Sequence, residues 1–276
     1  MQHYERFRGS WTRWAVGAVV LAAVWTMSGD AAAEGAQCSA SKAIRHFEDV
    51  MRGDGQVAQF EMRVVRPQST RTLRMRFWFQ NQPGDDQDRS LARVEAPAAE
   101  RGVASLRLGQ KMWSFVPSTG RVQQVPESMM MGSWMGSDWT NDDLARESSL
   151  LDDYRVTSTT PVDVDGTPAC KISVAPRPGR EVTWPKMVSY HYRSGENQHI
   201  AIKQEFYSRR AGELVLARTM EFSAIREMGG RRLPSRMVLQ PAGRPGRRTE
   251  LRYLSIQFDV DIPDRLFSLN NLQRSR

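Results

Sequence analysis

Few residues in this chain are spaced to do covalent chemistry. A serine nucleophile on a strained strand-to-helix turn needs Gly-x-Ser-x-Gly. The nearest run, Gly132-Ser133-Trp134-Met135-Gly136, carries its serine one place early. Phosphate-binding loops, dinucleotide fingerprints and Cys-x-x-Cys pairs are missing from the sequence. Carboxylates cluster at Asp85-Asp86-Gln87-Asp88, Asp142-Asp143 and Asp152-Asp153. Paired carboxylates can exchange protons with a substrate, but adjacent ones in loops and helix starts are ordinarily solvated. Past residue 33 there are three histidines, His46, His191 and His199. The last two flank the turn Ser194–Asn197 and would meet across a hairpin, yet a zinc site needs a third ligand that the local sequence does not supply. The expectation is no catalytic centre, no metal and no cofactor.

What stands out instead is apolar. Glu127–Trp139 (ESMMMGSWMGSDW) holds Met129, Met130, Met131, Trp134, Met135 and Trp139, with Gly132 and Gly136 between them. Methionine is flexible and polarisable and adapts to irregular apolar ligands, and the glycines let the backbone bend. A surface this apolar must be buried or must cover something apolar. Two readings follow: a mobile lid over a hydrophobic cavity, or a loop tucked into the core. Clustered thioethers also bind Cu(I), but no Cys or His lies nearby to complete such a site.

The elements that must position this loop follow from the rest of the chain. Its 276 residues are 40% hydrophobic and 25% charged, a globular composition that excludes collagen-like, disulfide-dense and broadly disordered classes. The net charge is +8, and only five of the 39 basic residues are lysine. The arginines are spread along every strand rather than gathered in one stripe, which argues against nucleic acid. The densest basic stretch, Arg236 to Arg252, is either a solvated loop and strand face or a contact for anionic head groups or an acidic partner.

Residues 1–33 read as a secretory signal peptide. Arg6, Arg8 and Arg13 precede the apolar run Ala15–Met27, and Asp30-Ala31-Ala32-Ala33-Glu34 offers a small-residue cleavage site. The run is too short for a spanning helix, so a soluble protein of the periplasm is expected. In that oxidising compartment Cys38 and Cys170 are candidates for a disulfide; a buried free thiol at Cys170 is the alternative.

Beyond the leader, Ser39–Met51 has the apolar spacing of one amphipathic helix with a serine available as N-cap. The period then switches to two. Leu73, Met75, Phe77 and Phe79 share one face of Thr70–Gln80, and Arg74, Arg76 and Trp78 the other. Thirteen such stretches, ending with Glu250–Phe258, are separated by short polar turns, which predicts an antiparallel meander with each sheet apolar on one side only. Asp138–Arg146 reads as a short helix capped by Thr140 or Asn141. No linker or repeat interrupts the chain, so a single domain over 37–276 is expected.

Lys111-Met112-Trp113-Ser114-Phe115-Val116-Pro117, with Arg121-Val122 after it, then Met135-Gly136-Ser137-Asp138-Trp139-Thr140 and Asp142-Asp143-Leu144, resemble the outer-membrane lipoprotein-sorting, LolA-like family. The ending Asp261–Leu272 is similar as well. The resemblance implies a mainly β (α+β) fold, an unclosed, strongly curved antiparallel β-barrel with helices packed on its concave face. It also implies an apolar cavity for acyl chains, and a periplasmic carrier of lipid or lipoprotein rather than an enzyme. An inner-membrane transporter becomes the expected partner, peripheral membrane contact is compatible, and an adaptor or sensor on the same fold is the alternative. The cavity and lid candidates are then Met75, Phe77, Phe79, Leu106, Leu108, Met112, Met129, Met130, Met131, Trp134, Met135 and Trp139.

Overall fold

The period-two stretches all become strands in the computed structural model, which describes residues 38–82, 88–145, 150–180, 182–193 and 198–273. The leader, Asp85–Gln87 and the turn Ser194–Asn197 lie outside the described residues. The first six strands are β1 (Gly55–Arg66), β2 (Ser69–Gln80), β3 (Arg89–Ala96), β4 (Ala104–Leu108), β5 (Lys111–Val116) and β6 (Arg121–Gln124). The next four are β7 (Tyr154–Val164), β8 (Thr167–Pro176), β9 (Lys186–Arg193) and β10 (His199–Arg210). The last three are β11 (Glu213–Met228), β12 (Arg231–Pro241) and β13 (Arg248–Phe258).

They form one antiparallel sheet in the order β6-β5-β4-β3-β2-β1-β13-β12-β11-β10-β9-β8-β7. Each half is a meander, and the halves are joined where β1 pairs with β13. Strands β6 and β7 follow one another in the chain but sit at opposite edges and do not pair, so the barrel is unclosed. The stretch joining them must therefore cross the open side of the sheet. This crossing segment contains the methionine–tryptophan run, helix α2 (Asn141–Ala145) and helix α3 (Leu150–Asp153).

Helix α1 (Ala40–Met51) lies on the concave face, with Ala43 and Ile44 buried and Phe47 and Met51 against the core. Ser39 occupies the N-cap with extended backbone, but its hydroxyl makes no capping bond. A covalent tie holds the helix start instead: Cys38 and Cys170 of β8 are joined, with Cα atoms 5.9 Å apart and a sequence separation of 132. Closing so long a loop restricts the unfolded chain and stabilises the fold by about 4–5 kcal/mol in the chain-entropy model.

The inner face of the sheet carries Phe60, Met62, Leu73, Met75, Val94, Phe222 and Leu251 as a continuous core. The expectation of one apolar face holds for β2, where Leu73, Met75 and Phe79 are buried and Arg74 and Arg76 exposed. It fails for β3 and β4, which are buried on both sides. There the C-terminal segment, ending in helix α4 (Leu269–Gln273), folds back over the outer face. Ile262, Phe267 and Leu272 pack on Leu91, Ala104, Leu106 and Phe115. Among the described residues no helix is long and apolar enough to cross a membrane.

Candidate functional site: an apolar cavity beneath the crossing segment

Between α1, the sheet and the crossing segment lies a cavity of about 380 Å³, at the small end of the range for ligand pockets. Helix α1 contributes Ile44, Phe47 and Met51; β1 and β2 contribute Phe60, Phe77 and Phe79. Phe222, Met237, Leu251 and Tyr253 form the floor, and Trp134, Trp139 and Leu144 the roof. Val182 and Trp184 close one rim. Phe47 packs edge-on against Phe222, ring centroids 5.1 Å apart, and against His191 at 5.8 Å. Arrangements of this kind add to plain area burial.

The roof is tied at several points. Ser133 pairs with Thr140 to close a small loop, in which the Trp134 N–H donates to the Trp139 carbonyl at 2.8 Å. Met135 (φ 47°) and Gly136 (φ 72°) turn the chain through the left-handed region, which strongly favours glycine. A Cβ on Gly136 would lie 3.0 Å from Nη1 of Arg71. That guanidinium donates to the Met135 carbonyl (2.8 Å), and Arg66 donates to the Gly136 carbonyl (2.9 Å). The buried indole of Trp134 donates to Ser105 Oγ on β4 at 2.9 Å.

Asp138 is the main anchor. Its side chain is fully buried and accepts from Arg66 Nη1 (2.9 Å), Arg247 Nε (2.6 Å) and Thr249 Oγ1 (2.7 Å), while its own N–H donates to Thr249 Oγ1 (2.9 Å). Two residues on, Thr140 and Asp143 form a capping box at the start of α2. The Asp143 N–H donates to Thr140 Oγ1 (3.1 Å) and the Thr140 N–H to Asp143 Oδ2 (2.8 Å).

Asp143 also faces the one arginine bordering the cavity from β11. Arg218 is buried, donates to both carboxylate oxygens at 2.7 and 2.5 Å, and lies against the rings of both Trp184 (4.4 Å) and Phe206 (4.5 Å), which pack edge to face on each other. A planar guanidinium suits both contacts at once, where a lysine would not. Through this pair the crossing segment is clamped to β11, as Trp134 clamps it to β4.

Two further features give the cavity a polar side. Its end at the C-terminus of α1 meets a wider charged cleft of about 800 Å³, with Glu48, Arg52, Phe79 and Asp153 bordering both. There Arg231 bonds Asp259 at 2.6 Å. In the wall, His191 on β9 is buried, with Nε2 2.6 Å from Ser189 Oγ and Nδ1 without a partner among the described residues. Burial, then the proximity of His199, lowers its pKa from the ordinary histidine value to about 3, so the ring is neutral near pH 7.

The sequence-derived candidates divide between places. Phe77, Phe79, Trp134 and Trp139 border the cavity. Met75 and Met112 are buried in the core of the same face without bordering it, and Met135 packs against that core. Leu106 and Leu108 belong to the opposite face, beneath the C-terminal segment, which corrects their assignment to the cavity. Strict alternation could not place them, because both faces of β4 are covered. Met130 is half-buried, whereas Met129 and Met131 are exposed at 59% and 55%. They are not part of the roof; the short turn Glu127–Met129 carries them outside it.

Sequence reasoning passed over Phe47, Trp184, Phe206, Phe222, Arg218 and His191 as lining residues. A signal for the last two was present. Arg218 shares parity with Leu214, Leu216, Met220 and Phe222, and His191 with Met187, so each is a polar residue on an apolar face.

The comparisons agree with this architecture. Over 84% of its length the chain superposes on a DUF1329 family protein from Desulfovibrio piger, covering 96% of that chain with TM-score 0.72 and 20% identity. A domain from Vibrio parahaemolyticus described as an outer membrane lipoprotein-sorting protein matches 85% of this chain and 99% of its own (TM-score 0.69, 21% identity). A LolA superfamily protein from Nitrosomonas europaea matches 84% and 98% (TM-score 0.66, 21% identity). No curated protein matches the chain. A family model described as "Uncharacterized protein" matches residues 86–274, well over half of the sequence. The chain therefore belongs to the family which that model defines, and its fold is that of the LolA-like proteins.

Proposed function

We propose that this protein is a periplasmic carrier that shelters an acyl chain of a lipid or lipoprotein and passes it between membrane partners, one of them an inner-membrane transporter. The observation that carries the reading is the roofed cavity, lined by aromatic and methionine side chains and clamped over by a segment that bridges the two halves of the sheet. Burying an acyl chain yields about 0.8 kcal/mol per CH₂, so apolar surface suffices for retention without catalytic chemistry. The crossing segment is joined to β11 by one ion pair and to β4 by one indole hydrogen bond, contacts that can open and re-form as cargo enters. The likeness to a domain described as lipoprotein-sorting supports the same direction.

The test is native mass spectrometry of the protein purified from periplasm, followed by extraction of bound material and uptake of a fluorescent fatty acid by the stripped protein. A co-purifying acylated molecule and saturable uptake are expected. An empty protein that takes up no fatty acid would overturn the carrier reading and leave an adaptor that binds a membrane protein by its surface.

A further inference from the structure

Only five of the chain's basic residues are lysine, and three of them meet on the outer face of β8, β9 and β10. Lys171 and Lys203 are both in register with Tyr190 and lie over its ring at 5.8 and 5.3 Å. Lys186 is in register with Tyr207 and lies over that ring at 5.0 Å. The inner face of the same strands belongs to Ile172, Val174, Met187 and Phe206, so the lysines stand on the side away from the cavity.

A hairpin projects from this face. Pairing of β10 with β9 stops at Tyr207 and Lys186, and pairing of β11 with β12 stops at Arg218 and Pro241. Residues 208–216 are therefore paired only with each other and overhang the sheet by about 10 Å at the rise of a strand. Leu216 is in register with Tyr207 and Leu214 with Arg209, which sets both leucines on the outer face. They are 38% and 41% exposed, and Arg209 and Arg210 are exposed at the tip. Against these cations stand Glu205, bonded to Lys203 at 2.8 Å, Glu221, in register with Lys203, and Glu213, in register with Arg210. The cations prevail. Below the overhang the same two strands carry Phe206 and Arg218, which border the cavity.

Beyond the carrier reading, we infer that this hairpin and the adjoining lysine–tyrosine face dock the protein on an anionic phospholipid bilayer. Leu214 and Leu216 enter the boundary between headgroups and acyl chains, while the lysines and arginines meet lipid phosphates. Leucine, tyrosine and lysine together suit that boundary, where apolar bodies are buried and charged tips stay in water. Lysine is a mobile point charge, matched to the shifting phosphates of a bilayer. Carboxylates on a folded partner are better met by the arginine fork, which this chain uses almost everywhere else. Docking by this hairpin also brings the cavity rim at Phe206 and Arg218 to the lipid surface.

The test is sedimentation of the purified protein with vesicles of phosphatidylcholine alone and of phosphatidylcholine and phosphatidylglycerol in equal parts. Binding to the anionic vesicles, weakened by added salt, is expected. Leu214→Ser with Leu216→Ser should lower the affinity about tenfold through lost apolar burial. Lys186→Gln with Arg209→Gln should lower it about tenfold to thirtyfold. Both variants should keep the urea midpoint and the fatty-acid uptake of the wild type, which separates docking from cargo binding. Equal binding to the two vesicle types, or binding that neither variant weakens, overturns the membrane contact and leaves the carrier reading in place. A protein that ignores vesicles but binds poly-glutamate, less so with Lys186 and Arg209 replaced, also overturns it and makes the face a dock for an acidic protein. Vesicle binding without fatty-acid uptake supports the docking face and overturns the carrier reading alone.

Discussion

The crossing segment holds two adjacent methionine-bearing stretches with opposite fates. Gly132–Ala145 is bound into the molecule. Trp134 is buried against Ser105, Asp138 collects Arg66, Arg247 and Thr249, and Asp143 clamps Arg218. Glu127–Met131 lies just before it, with Met129 and Met131 more than half exposed and the Met131 sulfur accepting from Thr183 Oγ1 at 3.8 Å. Hydrophobicity does not separate the two, since methionines occur in both. What separates them is a set of polar contacts spanning up to 111 positions of the sequence, which fix one stretch and leave the other at the rim. Apolar content marks a segment as important, but buried charge pairs and backbone turns decide which part becomes the roof.

The largest expected effect comes from breaking the ion pair in which both partners are shielded from water, Arg218 and Asp143. Arg218→Leu leaves the half-buried Asp143 carboxylate with only the Thr140 N–H and should cost about 3 kcal/mol in urea unfolding, together with faster loss of bound fatty acid. Arg218→Leu with Asp143→Leu should recover all but about 1 kcal/mol, the value of the lost cap. If the double variant is as unstable as the single, the pair is not the source of the loss.

Asp138→Ala ranks next. Its partners Arg66 and Arg247 are 23% and 31% exposed and can rehydrate, so about 2 kcal/mol is expected, below the range for a fully buried pair. Hydrogen exchange should speed up across 132–140 and not in β1 or β13; uniform acceleration would show that Asp138 supports the whole fold rather than the roof.

Trp134→Phe removes the indole donor to Ser105 together with part of a buried ring and should cost about 1.5 kcal/mol, with a measurable rise in fatty-acid off-rate. Unchanged off-rates would remove Trp134 from the gating contacts. Smallest is the paired change Met129→Ser with Met131→Ser, expected within about 0.5 kcal/mol of wild type because both side chains are already more than half exposed. A loss of several kcal/mol would erase the contrast between the two stretches.

Much of the architecture was legible in the chain. Each of the period-two stretches is a strand, and the amphipathic spacing of Ile44, Phe47 and Met51 places α1. The cavity itself was legible only in part. Phe77 and Phe79 face it because β2 alternates cleanly, but Leu106 and Leu108 do not, because Ile262, Phe267 and Leu272 return to cover the other face of the sheet. Arg218 and His191 could have been noticed as polar residues on apolar faces, though nothing local says what pairs with them.

Local pattern thus determined the element types, their approximate bounds and the absence of a familiar catalytic motif. These depend on side-chain period and residue type, which a sequence displays directly. The strand order, with β6 and β7 at opposite edges, made the methionine–tryptophan segment a bridge across the open barrel, and only the tertiary structure contains that order. It also set Asp138 beside Arg66 and Arg247, and Asp143 beside Arg218. Pairings between charges so distant in sequence follow from closure of the whole sheet, and no periodicity encodes them.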